Sequence, residues 1–548
     1  MEICLSSRRQ NDCKFQAESG RRRPGFLTPV EVFPLKKRKI VSLLLAASLF
    51  AALLPAHALA ADAKTVKTEA ELRSAVEDAS GATTIKLGEN IYLEATLRVE
   101  AGQDITLDLN GHAITVYKNE GTGRSLYAVD NYGTFTLMDS VGTGSITARG
   151  VENLGQGVMV INGGKIVSCD ANGGAAVWNE ANLTINGGTF ETVHVGSPSD
   201  SVGVGCVNNS GKALITGGTF YDVNRRTYAI ISNNEIEITP QSEGAVKVFG
   251  AHGALAVDAG TAVVNGGSYD SSDFYGLYVS NDGVGTDPQQ AAVTVNGGTF
   301  TGKSYSVWVG SDYNNPVNST IAIKGGSFEK PLNSQENARE GAIAVSGGEF
   351  LQPVAEEHLV DGISVASLQK ADTAKYYIGT AETLGEQLAA KAEQGDTLKV
   401  LQGDADLSQV VSGVDVSNEG DGTVTINDTT LSKGENVVSH KHVFDQQVVT
   451  DAYKAADATC TEAAKYYYSC ECGKAGTETF TVGEAKGHQY QDGKCTVCGA
   501  ADPNAPQVTP QPDIPKTGEN SHAIALFVLG LTAVAGAWFT MRRRAEQH

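Results

Sequence analysis

Three groups of side chains have types and spacings suited to chemistry. Asp130 and Glu152 occupy equivalent points of two successive repeats. If the repeats stack as neighbouring strands, the carboxyls lie about 5 Å apart, which suits calcium binding or an acid and nucleophile flanking a glycosidic bond. Their plainer role is that of two solvated surface carboxylates. Tyr278 and Trp308 fall at one position of consecutive repeats. Side by side they would form a platform for the C–H faces of sugar rings, with Ser280 and Asp312 near enough to take hydroxyls. The bland alternative is that the rings cover an apolar seam. Third, Cys470, Cys472, Cys495 and Cys498 lie among His440, His442, Cys460 and His488. Cys-x-x-Cys-Gly is zinc-knuckle spacing, because the glycine frees backbone amides to face thiolates, and these four cysteines are read as one structural zinc site. The first pair, Cys-x-Cys, is one residue short. Disulfides or free thiols are the alternatives, although five cysteines are an odd number and neighbours one residue apart bridge poorly. Cys169 and Cys206 lie outside this group and read as small core residues. No Ser-His-Asp arrangement, phosphate loop or HExxH occurs.

The elements that must position these groups are repeats. Gly-Gly, a polar residue and an aromatic recur at 187–190, 217–220, 266–269, 297–300, 325–328 and 347–350, with a degenerate copy at 163–166. Each follows alternating residues such as Leu183-Thr184-Ile185, which read as a short strand. A second marker, an aliphatic two residues before an asparagine, runs in phase: Val129/Asn131, Val151/Asn153, Val177/Asn179, Val207/Asn209, Ile231/Asn233 and Val279/Asn281. Val257 and Val309 keep that frame without the amide. Spacings of 22 to 30 residues built only from strands and turns exclude helical repeats. They imply parallel strands stacked about 4.8 Å apart, with asparagines bonding up a turn. The residue before each ladder aliphatic should point outward: Ala128, Gly150, Ala176, Cys206, Ile230, Ala256, Tyr278 and Trp308.

This pattern resembles the right-handed parallel β-helix of the pectate-lyase-like superfamily. The resemblance implies an all-β chain with about ten coils over residues 61–380, caps included, the N-terminal cap being a helix over Thr68–Ala79 with a capping-box-like start. The arginine and paired-aspartate signatures of that superfamily's enzymes are absent from the sequence. A small α+β unit is expected over 381–438, a Cys/His module over 439–500 and a proline-rich spacer over 501–513. The Cys/His module resembles small repeat modules found near the anchors of surface proteins of anaerobic Gram-positive bacteria.

Lys36 to Lys39, the apolar run Ile40–Leu54 and Ala58-Leu59-Ala60 have the order of a secretory signal peptide, giving an N-terminal extension and signal over residues 1–60 with cleavage after Ala60. Residues 1–34 read as an upstream extension, with Leu35 near the true start. At the other end, Ile514-Pro515-Lys516-Thr517-Gly518, an apolar stretch to Met541 and Arg542–Arg544 resemble the LPxTG-type sorting signal of Gram-positive cell-wall proteins, with isoleucine in place of leucine. That resemblance implies a membrane-held precursor over 514–548, sortase cleavage at Thr517–Gly518 and covalent transfer to peptidoglycan. The 548 residues carry 63 acidic and 42 basic side chains, a net −21, which argues against a nucleic-acid partner. Two functions of different class follow. One is a non-catalytic adhesin or glycan-binding rod facing a host or neighbouring cell. The other is a wall-attached polysaccharide lyase or glycoside hydrolase. Aligned outer carboxylates with a basic partner favour the enzyme; aligned aromatics without them favour binding.

Overall fold

The computed structural model describes residues 63–117, 125–169, 174–193, 205–223, 227–281, 290–311, 316–427 and 429–506. The signal-peptide and sorting-signal residues, Ile514, Pro515, Thr517 and Gly518 among them, lie outside these ranges. So does Asp312.

Successive strands pass in turn to three sheets, so that each sheet collects every third strand. The first runs from Lys64–Val66 to Ile343–Val345, the second from Leu97–Val99 to Leu332–Ser334, and the third starts at Ile91–Leu93. Pairing within the first two sheets is parallel, and in the third it is parallel as far as Gly348–Phe350. This is an all-β architecture of long parallel stacks, compatible with a parallel β-helix. Alternation in the sequence becomes alternation in burial, as in Val151-Glu152-Asn153, whose ends are buried and whose centre is half-exposed.

The Gly-Gly motif forms the corner between the first and third sheets. Its second glycine adopts a positive φ, 112° at Gly188 and 109° at Gly298, a region that penalises a Cβ. The first glycine is needed for a different reason. A Cβ on Gly217, Gly325 or Gly347 would strike the carbonyl oxygen of Asn186, Asn296 or Lys324 in the preceding repeat. The aromatic that follows turns inward. Phe190 and Phe220 stack at 4.8 Å, and Tyr269, Phe300, Phe328 and Phe350 continue the column at 4.7, 5.1 and 4.9 Å. Val248 takes the ring's place between Phe220 and Tyr269. These spacings match the distance between paired strands, so one ring per repeat fills the core.

The second sheet turns into the first through a column of buried amides. Asn131 donates to Asn153 at 2.8 Å, Asn153 to Asn179 at 2.8 Å, Asn179 to Asn209 at 2.7 Å and Asn209 to the Ser232 hydroxyl at 3.0 Å. The Oδ1 of Asn131 and Asn179 also accept from the backbone N–H two residues on, Gly133 and Ala181.

A helix over Glu69–Glu77 starts at Thr68, whose hydroxyl accepts from the Glu71 N–H, and buries Leu72, Ala75 and Val76 in the main core. At the other end the third sheet continues. Gly348–Phe350 pairs antiparallel with Thr373–Gly379, and the sheet runs on through Ser364–Lys370, Thr397–Gln402, Asp415–Asn418 and Asn436–Val438. The helix Ala381–Lys391 places Leu384 and Leu388 in a second core with Leu368, Tyr377, Val400 and Val416. Beyond it, Lys454–Ala456, Ala464–Ser469 and Ala475–Val482 make an antiparallel sheet, and Tyr490–Gln491 and Lys494–Cys495 a hairpin. No helix among the described residues is long and apolar enough to cross a membrane.

Candidate functional sites

The outward position of the second sheet forms one column in register: Arg98, Asp130, Glu152, Trp178, Asn208, Ile231, Ala256, Tyr278, Trp308 and Asn333. This corrects the outward series expected from sequence. Ala128, Ala176 and Cys206 precede inward valines and are buried, and Ile230 itself points inward. Ile230 turns inward because the marker slips by one residue at Ile231/Asn233, and the slip is two residues from Val257 onward. Past Asn209 the inward pair becomes Ile230/Ser232, Leu255/Val257, Leu277/Val279 and Val307/Val309, so Asn233 and Asn281 are not ladder positions. Tyr278 and Trp308 remain outward neighbours, because a shift of two preserves side-chain parity.

Asp130 and Glu152 are brought together as cross-strand partners, both half-buried. Burial pushes both carboxyls up. For Glu152 the Asp130 charge and the hydrogen bond between them add to it, reaching about 7. In this pair the Glu152 carboxyl carries the proton and donates to Asp130, whose charge the Arg98 guanidinium opposes. Arg98 is the next residue of the column, ion-paired to Glu100 at 2.7 Å and lying over the Tyr132 ring at 4.2 Å. Trp178 flanks the other side. A protonated acid beside a carboxylate, with a cation and an indole in line, has the parts for proton transfer or for gripping a polyol.

At the far end of the column the rings are denser than the sequence suggested, and Tyr278 is a correction: it is 2% exposed, the floor of the cluster and not its surface. Tyr228 stacks on it at 5.1 Å, reaching across the intervening strand because Gly253 and Ala256 leave room; a Cβ on Gly253 would strike that ring. Tyr275 stacks between Tyr278 and Trp308 at 5.6 and 5.8 Å, and Tyr305 lies 5.0 Å from Trp308. Trp308, Tyr275 and Tyr305 are half-exposed and Phe274 exposed, so these rings face solvent. Ser280 does not: it is buried and donates to Asp258. Tyr228, Tyr275 and Tyr305 share a column two to three residues earlier in each strand. Their recurrence two residues before Ile230, Leu277 and Val307 is the sequence signal that marks this column.

The cysteine module also departs from expectation. Cys470, Cys472, Cys495 and Cys498 do not form one site. Cys470 and Cys472 gather with His440 and His442, and Cys495 and Cys498 with Cys460 and His488; within each group the candidate ligand atoms lie within 4.8 Å of one another. The physical reason is that each cysteine pair sits in its own glycine-ended turn, one between Ser469 and Ala475, the other closing the hairpin. Backbone N–H groups of Cys498 and Val497 face the Cys495 sulfur and hold that thiol down at about 5. Burial opposes the same effect at Cys470, yet the N–H of Cys472 and the two histidine rings bring it to about 6. Either group could hold a metal such as zinc. Cys206 is buried, donating to the Phe190 carbonyl, whereas Cys169 is half-exposed.

Comparison with protein-family models, curated proteins and solved structures finds no match to this chain.

Proposed function

We propose that this chain is a surface protein whose second sheet binds glycans through its outward face. In this reading a right-handed β-helix of about ten coils, closed at one end by the helix Glu69–Glu77, is secreted after cleavage at Ala60. A sortase then cuts Thr517–Gly518 and joins the chain to peptidoglycan. The observation that carries the binding reading is the stack of half-exposed rings Tyr275, Tyr305 and Trp308 on a floor of Tyr228 and Tyr278. Flat rings over a rigid floor suit the apolar faces of sugars, and the partner is a glycan of a host or neighbouring cell. The net charge of −21 disfavours polyanionic glycans as ligands.

A second reading, hydrolysis or lyase cleavage of a polysaccharide, is favoured by the in-register pair Asp130 and Glu152 with Arg98 beside it. Calcium would compete with the shared proton there. One experiment separates the readings. The purified chain is applied to a glycan array, and reducing ends and unsaturated products are measured on the hits. Binding without turnover that is lost in Trp308→Ala supports the adhesin; product release abolished by Glu152→Gln supports the enzyme. Attachment is tested separately, since Thr517→Ala should move the chain from the peptidoglycan fraction to the membrane or medium.

A further inference from the structure

The two groups of metal-ligating side chains fall in a part of the molecule with almost no apolar core. Between residues 440 and 506 the buried residues are Cys460, Ser469, Cys470, Phe480 and Cys495. None of the buried apolar clusters reaches into it. Three of those five are cysteines of the two groups. A three-stranded sheet and a hairpin of two-residue strands are too small to hold themselves by burial, and units of this size are normally stapled.

The donor geometry matches tetrahedral metal better than disulfides. In a tetrahedron with Zn–S bonds of 2.3 Å and Zn–N bonds of 2.0–2.1 Å, S···S edges are about 3.8 Å and N···S edges about 3.5 Å. Cys460 and Cys495 sulfurs are 3.7 Å apart. The N···S separations are 3.2 Å for His442–Cys472, 3.2 Å for His488–Cys498 and 2.9 Å for His440–Cys470. Disulfides would leave three histidine nitrogens aimed at sulfurs without purpose.

The first group also joins two regions. His440 lies between two residues tied to the 411–414 turn of the preceding unit. Ser439 exchanges backbone bonds with Val414 and Gly413 at 2.7 and 2.8 Å, and its hydroxyl accepts from the Val414 N–H and donates to the Val411 carbonyl. The Lys441 N–H donates to Ser412 at 2.7 Å. Cys470 and Cys472 come instead from the turn of the three-stranded sheet. An ion here would bond that sheet to the unit before it, whereas the second would close the hairpin onto the Cys460 loop.

We propose that residues 439–506 bind two zinc ions, one through His440, His442, Cys470 and Cys472 and one through Cys460, His488, Cys495 and Cys498. The first serves as the joint between this module and the α+β unit.

The test uses the full chain purified with zinc, its metal measured by elemental analysis, and histidine variants, because a disulfide would ignore them. Two zinc ions per chain are expected, one in His442→Ala, one in His488→Ala and none in the double variant. Cobalt-substituted single variants should differ in thiolate-to-cobalt absorption, His442→Ala retaining three thiolates and His488→Ala two. The melt of the large parallel sheets, which have a separate core, reports that each variant has folded. For the joint, cleavage by trypsin after Lys441 should quicken at least tenfold in His442→Ala and stay unchanged in His488→Ala. A wild-type chain that holds only one ion, absent from both single variants, or a metal-free chain with fewer free thiols, overturns the two-site assignment. Equal cleavage in both variants overturns the joint.

Discussion

The two halves of the second sheet share a backbone and differ in almost everything that holds it. In the N-terminal half the inward corner is a column of buried amides, Asn131 to Asn209, and the outward column is polar, Arg98, Asp130, Glu152 and Asn208, with Trp178 its one aromatic. In the C-terminal half the same corner is Val257, Val279 and Val309, and the outward column is aromatic. The connections trade places as well. Residues 132–133, 154–157, 180–181, 210–211, 233–234 and 258–259 join this sheet to the first; the last three links are 280–290, 310–319 and 335–342. On the opposite margin the long links, 117–128, 169–176 and 193–206, fall in the first half among short ones at 94–96 and 149–150. The second half has only short ones, such as 272–274, 302–304 and 329–331. A parallel stack can therefore be held by directional bonds or by side-chain volume.

Five substitutions sharpen or break this contrast. Phe300→Ala sets the scale, because the inward ring column runs through both halves; it should cost about 4 kcal/mol in denaturant unfolding. Asn153→Ala should cost about 3 kcal/mol, since it removes the buried bonds from Asn131 and to Asn179 together with those from its own amide to the Gly157 and Asn182 carbonyls. Its counterpart Val309→Ala should cost about 2 kcal/mol, and equal losses would erase the distinction between the corners. In the aromatic half, Tyr278→Ala should cost about 2–3 kcal/mol, and Trp308→Ala less than about 1 kcal/mol while removing glycan retention. A large stability loss for Trp308→Ala would place that ring in the core.

The smallest effect concerns Glu152. Its carboxyl stands at about 7 when folded against 4.5 ordinarily, so the folded chain keeps a proton that the unfolded chain releases. The stability this contributes is complete below pH 4.5 and lost as pH rises through 7. The site is half-exposed, which screens it to about 1 kcal/mol. Against Glu152→Gln, the wild-type melting temperature should fall between pH 5 and 8; a constant difference would mean that the two carboxyls do not share a proton.

The repeat period was legible because each marker answers a hard steric demand: glycine at a positive φ or against a carbonyl, asparagine where an amide must bond three ways. Register was harder. Val279-Ser280-Asn281 imitates Val177-Trp178-Asn179 but sits two residues late, and only strand pairing distinguishes the two. The exposure of Tyr278 was not legible at all. It depends on Tyr228, two strands away, and on the small size of Gly253 and Ala256 between them. Likewise, spacing paired Cys470 with Cys472 and Cys495 with Cys498, but chain closure chose their histidines. His440 and His442 lie 30 residues from Cys470 and Cys472 respectively.

The two-residue turns after Asn131, Asn179 and Asn209 restrict how such a chain can diverge. Asn131 and Asn179 accept from the N–H of Gly133 and Ala181, while their amide donors reach carbonyls that open the next strands, those of Val158 and Lys212. An inserted residue would carry that N–H away and break a rung shared with the repeats above and below. The corner lengthens only where the rung is rebuilt, as after Asn153, whose amide donates to the Gly157 and Asn182 carbonyls across the longer turn 154–157. Longer links return after Val279 and Val309. Descendants of one ancestor would thus vary on opposite margins of a single face in its two halves, keeping the strands fixed while trying different borders around each candidate site.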